Sequence, residues 1–407
     1  MATSRNFLTS IRALGAERLW LLGALTGGHF IIHWFQQFFP VLLPSIKSGL
    51  GLSNVEVGAL TSAQQLVMGV AQMPLGMFAD SRVRHRATIL ALSLVSMGFA
   101  YFLLGSSIFV WALLGSGLIG LGTALWHPAA AASLSNRFPE RRATALSIHG
   151  TGATLSDTIT PFCVGFLLTN FPWQGVTQVQ LVPGLFFSFV IWRALRGVFT
   201  DASSQPGRAS TQARDVVSLL KNPAFVGVAA ATGLLQMGRL VILTFLPIYL
   251  QEDLQYTPAA LGVFVALMHV MGTVSQPILG LLSDSFGRKA VLLPSCLMLG
   301  FFFALLAVVQ PGVQLGLVIV AIGLFFYTLF NIMNAAVMDV GGANIQASTY
   351  GLTILITQLA VIPTPMLTGY LIGWLGIKSA FVLAGVFLFI GGGVVAPLKL
   401  YTGTRNS

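Results

Sequence analysis

Two stretches decide how this chain is read: Gly58–Asp80, GALTSAQQLVMGVAQMPLGMFAD, and Gly262–Asp284, GVFVALMHVMGTVSQPILGLLSD. They are the same length and 204 residues apart, half of a 407-residue chain. Gly58 aligns with Gly262, Gln72 with Gln276, Gly76 with Gly280 and Asp80 with Asp284, and Pro74 and Pro277 fall within one position of register. Each stretch is apolar enough to be a buried helix and ends on an aspartate followed by basic residues: Arg82, Arg84 and Arg86, then Arg288 and Lys289. Self-similarity at half the chain length predicts a molecule built from one unit used twice.

The rest of the composition sets the solvent. Hydrophobic residues make up 55% of the chain and charged residues 8%, against about 25% charged in soluble proteins. So few charges cannot cover a water-facing surface, and apolar runs of roughly 20 residues, enough to cross a bilayer as a helix, recur throughout. The runs are too long and too continuous for barrel strands. The pattern predicts an all-α membrane protein with twelve spans near 19–43, 55–79, 87–105, 109–135, 143–169, 178–199, 223–250, 257–282, 290–309, 313–338, 347–374 and 378–400. The polar stretch TDASSQPGRASTQARD (200–215) reads as a linker. It divides an N-terminal six-helix half (1–199) from a C-terminal one (223–407), with residues 200–222 as the cytoplasmic connection. Two halves of equal orientation are parallel repeats, with a substrate site expected where they meet near the midplane.

The net charge of +10 reports topology. All Lys and Arg except Lys47, Lys378 and Arg239 fall at the termini, in the loops after even-numbered spans or at the adjoining helix ends. By the positive-inside rule both termini are expected in the cytoplasm. The partners expected are anionic lipid heads rather than nucleic acid, and the working unit is expected to be a monomer in the cell's inner (plasma) membrane. The first span, preceded by Arg5, Arg12 and Arg18, is too long for a signal-peptide core and reads as uncleaved. Cys163 and Cys296 lie in apolar helix and read as packing residues.

Polar side chains mark the working surfaces. His29, His33, Gln36 and Gln37 are in the first span; Gln64, Gln65 and Gln72 in the second; His127 in the fourth; His149 and Asp157 in the fifth. Gln236 and Arg239 are in the seventh, His269 and Gln276 in the eighth, Asn331 and Asn334 in the tenth and Gln358 in the eleventh. The cores of the third, sixth, ninth and twelfth spans have none, so those four can face lipid while the others need water, ligand or each other.

His29 and His33 are one turn apart on one helix face, ~15–21 Å from the cytoplasmic end at 1.5 Å per residue, near mid-membrane. A pair at i and i+4 suits a metal, but HFIIH lacks the glutamate of a zinc protease and no Cys or carboxylate cluster accompanies it, so no metal is expected. A structural hydrogen-bonding role and a cavity-lining role in substrate binding or proton uptake both remain open. Asp157, the one carboxylate near the middle of a span, must be protonated or paired, as a structural hydrogen-bonding group or a proton-coupling one. Arg239, the one deeply embedded cation, either pairs with Asp157 across the halves or offers its planar fork to an anionic substrate. His127 beside Pro128 sits at a kink, as a gate or ligand contact or as a merely structural feature, and Asn331 and Asn334 can supply amides to the cavity or bond to another helix.

The repeated loop resembles the signature of the major facilitator superfamily, Gly-x-x-x-Asp-x-x-Gly-Arg-Lys/Arg between the second and third spans of a half. Gly280, Asp284, Gly287, Arg288 and Lys289 match it in full; the N-terminal copy keeps Gly76, Asp80 and Arg84, with Val83 in place of the glycine. The resemblance implies alternating access and a latch role for these loops. FFPVLLP after the first-span histidines, GLGTALWHPAAAA and RRATALSIHGTGA resemble the fosmidomycin-resistance-type exporters within that superfamily. Ala129 stands where that branch has an acidic residue, so no proton role carries over to that position. The resemblance implies proton-driven export, an antiport, of a small organic compound, anionic compounds included; a symporter or exchanger taking up a metabolite anion is the alternative. No enzyme constellation or ATP-binding Gly-x-x-x-x-Gly-Lys-Ser/Thr occurs, so no cofactor is expected and the energy must come from a gradient.

Overall fold

A computed structural model describes residues 15–198, 218–341 and 346–400. Arg5, Arg12 and most of the linker lie outside the described residues. The described residues form twelve helical spans: α1 (Ala16–Leu50), α2 (Asn54–Ser81), α3 (Arg86–Leu104), α4 (Phe109–Arg137), α5 (Arg142–Asn170), α6a (Trp173–Gln178) with α6b (Leu181–Leu195), α7 (Pro223–Ile248), α8 (Pro258–Phe286), α9 (Arg288–Leu305), α10a (Val313–Phe326) with α10b (Thr328–Gly341), α11a (Gln346–Val361) with α11b (Thr364–Leu375), and α12 (Lys378–Val395). Among the described residues, nine spans are apolar and long enough to cross a membrane on hydropathy alone. The three that fall short, α1, α2 and α5, are those loaded with His, Gln, Thr and Asp.

Boundaries differ from the sequence reading where proline acts. Pro183 has no N–H for the Val179 carbonyl, which takes Val182 N–H at 3.0 Å instead; this tight turn separates α6a from α6b. At the break in α11, Pro363 stands as the N-cap of α11b and Pro365 opens its first turn. By contrast α1 runs through Pro40 and Pro44 and seven residues past the expected end. It stops only at Gly51, whose left-handed backbone (φ 65°) caps it on the Lys47 and Ser48 carbonyls.

α3, α6, α9 and α12 pack on the outside of their halves and carry exposed apolar side chains, among them Phe99, Phe186, Phe189, Phe301 and Phe389. Their outer faces suit lipid.

The halves meet mainly through α5 with α8 and α2 with α11b. These contacts lie at the face opposite the termini, termed the far face; the terminal face is the basic one. A methyl on Gly58 would sit 2.4 Å from the Pro365 carbonyl oxygen, and one on Gly262 would sit 2.3 Å from that of Pro161. A methyl on Gly369 would likewise sit 2.2 Å from the Asn54 carbonyl oxygen, and one on Gly165 2.4 Å from that of Pro258. All of these pairs obey the 204-residue offset, so the two seals are copies of each other. Lys47 at the far end of α1 donates to Glu252 in the π-helical turn Tyr249–Asp253 that follows α7, an ion pair joining the halves beside the seals.

On the basic face, Glu17 pairs with Arg137 at 2.5 Å and Arg18 with Glu140. The peptide N–H of Glu140 itself, and then Arg18, hold its carboxyl below the ordinary range.

The two signature loops turn differently. Gly287 adopts φ 97°, ψ 154° and passes straight from α8 into α9. Val83 cannot follow, because a β-branched residue is excluded from that region, and a 3₁₀ turn Val83–His85 fills the gap. Gly287→Val is expected to cost about 1–3 kcal/mol and lower the thermal midpoint in detergent by several degrees. Val83→Gly, at a site with no such demand, is expected to shift it far less.

Candidate functional site

Between the halves lies a cavity of about 400 Å³. Its walls come from α1, α2 and α4 on one side and α7, α10b and α11a on the other; none comes from α3, α6, α9 or α12. The polar lining is almost entirely neutral amide and hydroxyl: Gln36, Gln37, Gln64, Gln65, Gln72, Gln236, Gln358 and Asn334, with Thr61, Thr123, Thr232, Thr244, Thr353 and Thr357. Phe39, Leu43, Leu240 and Phe330 supply apolar wall. His127 is the one ionisable side chain of the lining. Such a surface can hydrogen-bond a polar organic molecule in many orientations while demanding no particular charge.

Beneath His127, on the N-terminal half, four histidines meet. His29 and His33 of α1 lie edge to face, ring centroids 4.6 Å apart at 87°. His127 of α4 is 5.4 Å from His29 and 5.8 Å from His33, again edge-on. His149 of α5 stacks flat on His29 at 4.0 Å. His33 Nδ1 lies 2.7 Å from Asp157 Oδ1 and donates to it. His29 Nδ1 donates to the His149 carbonyl and His127 Nδ1 to the Thr123 carbonyl, both at 3.0 Å. His29 Nε2 and His149 Nδ1 are buried without a partner.

Arg239 stands across the interface on α7. Its guanidinium lies over Phe326, Tyr327 and Phe330, 4.6, 5.2 and 5.3 Å from the ring centroids, and donates to Gln236 at 2.6 Å. Three π faces take the place of water around the charge. His269 Nε2 and the Tyr327 hydroxyl share a hydrogen bond of 3.1 Å behind it.

Of the residues singled out by sequence, Gln36, His127, Asn334 and Gln358 line the cavity. His29, His33, Asp157 and Arg239 sit just behind its wall. Asn331 is outside the lining, exposed, and donates to Gln276 of α8 at 3.3 Å, the helix-to-helix bond that was the other role open to it. Of the two roles open to Arg239, the ion pair with Asp157 is not made here: His33 holds Asp157, and Arg239 is held by aromatic rings and Gln236. The α1 histidines do not stand as an isolated pair, since α4 and α5 bring His127 and His149 to them.

In the loops, Arg86 rather than Arg84 reaches Asp80, at 3.2 Å, and also donates to the Ala79 carbonyl. The 3₁₀ turn moves the paired arginine two positions on, leaving Arg84 exposed. Arg288 bonds to Asp284, to Ser283 and, at 2.8 Å, to Asp339 of α10b. Gly76 faces Pro128, Gly280 is open, and Lys289 is half-buried.

The threonines were missed because a helical threonine hides its hydroxyl on its own i−4 carbonyl, as Thr123, Thr232, Thr244 and Thr353 do here, and so raises no polar alarm in a sequence. The glutamines were visible as polar positions; their convergence was not.

The model of the Major Facilitator Superfamily matches residues 25–365 and 228–406. The chain is 26% identical to the multidrug resistance protein MdtG of Yersinia enterocolitica over 306 residues, 73% of this chain and 72% of that one. It is 25% identical to the hexuronate transporter of Bacillus subtilis over 373 residues, 85% and 86% of the two chains. It is 22% identical to the multi-drug resistance efflux pump PmrA homolog of Lactococcus lactis over 377 residues, 89% and 91%. Among solved structures, an inward-facing, unoccupied bacterial homologue of the human lysosomal transporter Spinster superposes with TM-score 0.78 over 94% of this chain and 96% of that one, at 16% identity.

Proposed function

Because the chain belongs to the Major Facilitator Superfamily, we propose that it is a secondary active transporter working by alternating access, and that it exports a small polar organic compound in exchange for protons. The observation that carries this reading is the juxtaposition of an uncharged, amide-lined cavity with the His33–Asp157 pair, joined through His127. With a neutral imidazole and an ionised carboxylate, the pair carries one negative charge inside the membrane. One proton cancels it, whichever partner holds the proton. A buried net charge resists movement through a low-dielectric interior, and its neutralisation favours the rearrangement. Arg239 faces this charge from the other half, so the proton also weakens an attraction between the halves.

With the basic face in the cytoplasm, the glycine seals close the outer side, and the cavity is the cytoplasmic loading site. The signature loops, through Asp80 with Arg86 and Asp284 with Arg288, are latches for the opposite state. The drug-efflux relatives support export. The hexuronate relative and the position of Arg239, one turn from cavity-lining Gln236, support the second reading, uptake of a metabolite anion.

Everted vesicles containing the protein, acidified inside, separate the two. Export predicts that adding a transported compound from a panel that includes fosmidomycin dissipates the pH gradient. A gradient indifferent to every compound, together with uptake of a hexuronate or monocarboxylate by right-side-out vesicles, would replace export with anion uptake.

A further inference from the structure

We propose that His29, His33 and His127 form a binding site for a divalent late transition-metal ion, with Zn²⁺ the best match. One ring nitrogen from each residue lies within 4.8 Å of the other two. A tetrahedral ion with bonds of about 2.0–2.1 Å to imidazole nitrogen sets ring centroids roughly 5 Å apart, and the three separations here are 4.6, 5.4 and 5.8 Å. The rings stand at 87°, 78° and 70° to one another. Edge-on rings can aim in-plane lone pairs at one point; stacked rings cannot.

The hydrogen bonds select the nitrogen that faces the ion. Each of the three rings spends Nδ1–H on an acceptor outside the triad: the His149 carbonyl, the Asp157 carboxylate and the Thr123 carbonyl. That fixes the tautomer with the proton on Nδ1 and leaves Nε2 a free lone pair on all three. Metal-bound histidines show this outer arrangement, and a carboxylate behind one of them raises its basicity. His29, only 7% exposed, has its Nε2 sealed from solvent with no hydrogen-bond partner. A buried acceptor left unsatisfied is costly, and an ion would satisfy it. The neutral Nε2 set and the nearby carboxylate suit a borderline cation better than Mg²⁺ or Ca²⁺, which take oxygen ligands. His127 lines the cavity, so the fourth coordination position is within reach of water or of a chelating group on the cargo.

The proposal does not rest on export or on proton coupling, and its test involves neither. The full chain, purified in detergent with a tag free of histidine, is titrated with Zn²⁺ alone by calorimetry. One ion per chain is expected with micromolar or tighter affinity. His33→Asn and His127→Gln are expected to weaken it at least 100-fold, Asp157→Asn about 10- to 100-fold, and His269→Ala, which removes a buried histidine of the other half, not at all. X-ray absorption of the wild-type complex should give three imidazole nitrogens and one further light ligand. Sub-stoichiometric binding, equal affinity in folded His33 and His127 variants, or an oxygen-only shell would each overturn the assignment. The absorption spectrum decides alone if the variants do not fold.

Discussion

A chain with leucine at both Gly58 and Gly262 is expected to stay folded and to lose transport by ~30-fold or more. Each glycine faces a backbone carbonyl that a methyl group would approach to 2.4 or 2.3 Å, far inside contact distance. The neighbour is main chain and cannot rotate away, so the far-face seal must part. Overpacking costs about 1–3 kcal/mol per site. Two sites then shift the balance between closed and open far face by about 2–6 kcal/mol, ~30-fold to more than ~10,000-fold at 1.4 kcal/mol per decade. The penalty vanishes once the halves separate there, so it falls on one state of the cycle and not on the fold. The readout is Gln64→Cys, in the cavity wall, placed in a Cys163→Ser, Cys296→Ser background. An impermeant thiol reagent applied at the far face should label it at least ten times faster in the leucine variant. Wild-type transport with unchanged labelling would show that these glycines only pack.

Asp157→Asn is expected to reduce proton-driven transport about 100-fold while leaving exchange of cargo across a membrane without a gradient within about threefold of wild type. Asparagine keeps the volume and the oxygen that accepts from His33 Nδ1, now 2.7 Å away, so geometry survives and the charge is lost. A proton can then no longer change the pair from anionic to neutral, and the step that depends on that change has no driving force. Exchange needs only the cavity, and none of its walls includes Asp157. Comparable losses in both assays would make Asp157 a packing or folding residue. Retention of gradient-driven transport would remove it from coupling altogether.

The spans and the doubled architecture were legible because long apolar runs and a 204-residue self-match survive in the sequence without reference to packing. So was the lipid-facing set: α3, α6, α9 and α12 have clean cores, and none of them supplies a wall of the cavity. What the sequence could not show was which polar groups find each other. His127 and His149 are distant from His29 in the chain, and only the packing of α4 and α5 on α1 unites them. Asp157 and Arg239 looked like natural partners as the two lone charges of mid-span. A nearer imidazole and three aromatic rings satisfied them separately. The Val83 turn was foreseen as a departure but not its consequence, which was to hand the ion pair to Arg86.

The 204-residue offset holds for the seals and fails for the interior. Gly58, Pro161 and Gly165 have their counterparts in Gly262, Pro365 and Gly369, whereas His29 and His33 correspond to Gly233 and Met237, which carry no imidazole. The moving frame is thus inherited twice and the titratable cluster once. Descent can therefore rewrite the interior of one half, and with it what the cavity accepts, without disturbing the seals that both halves share. A lineage built this way can diversify in what it carries faster than in how it moves.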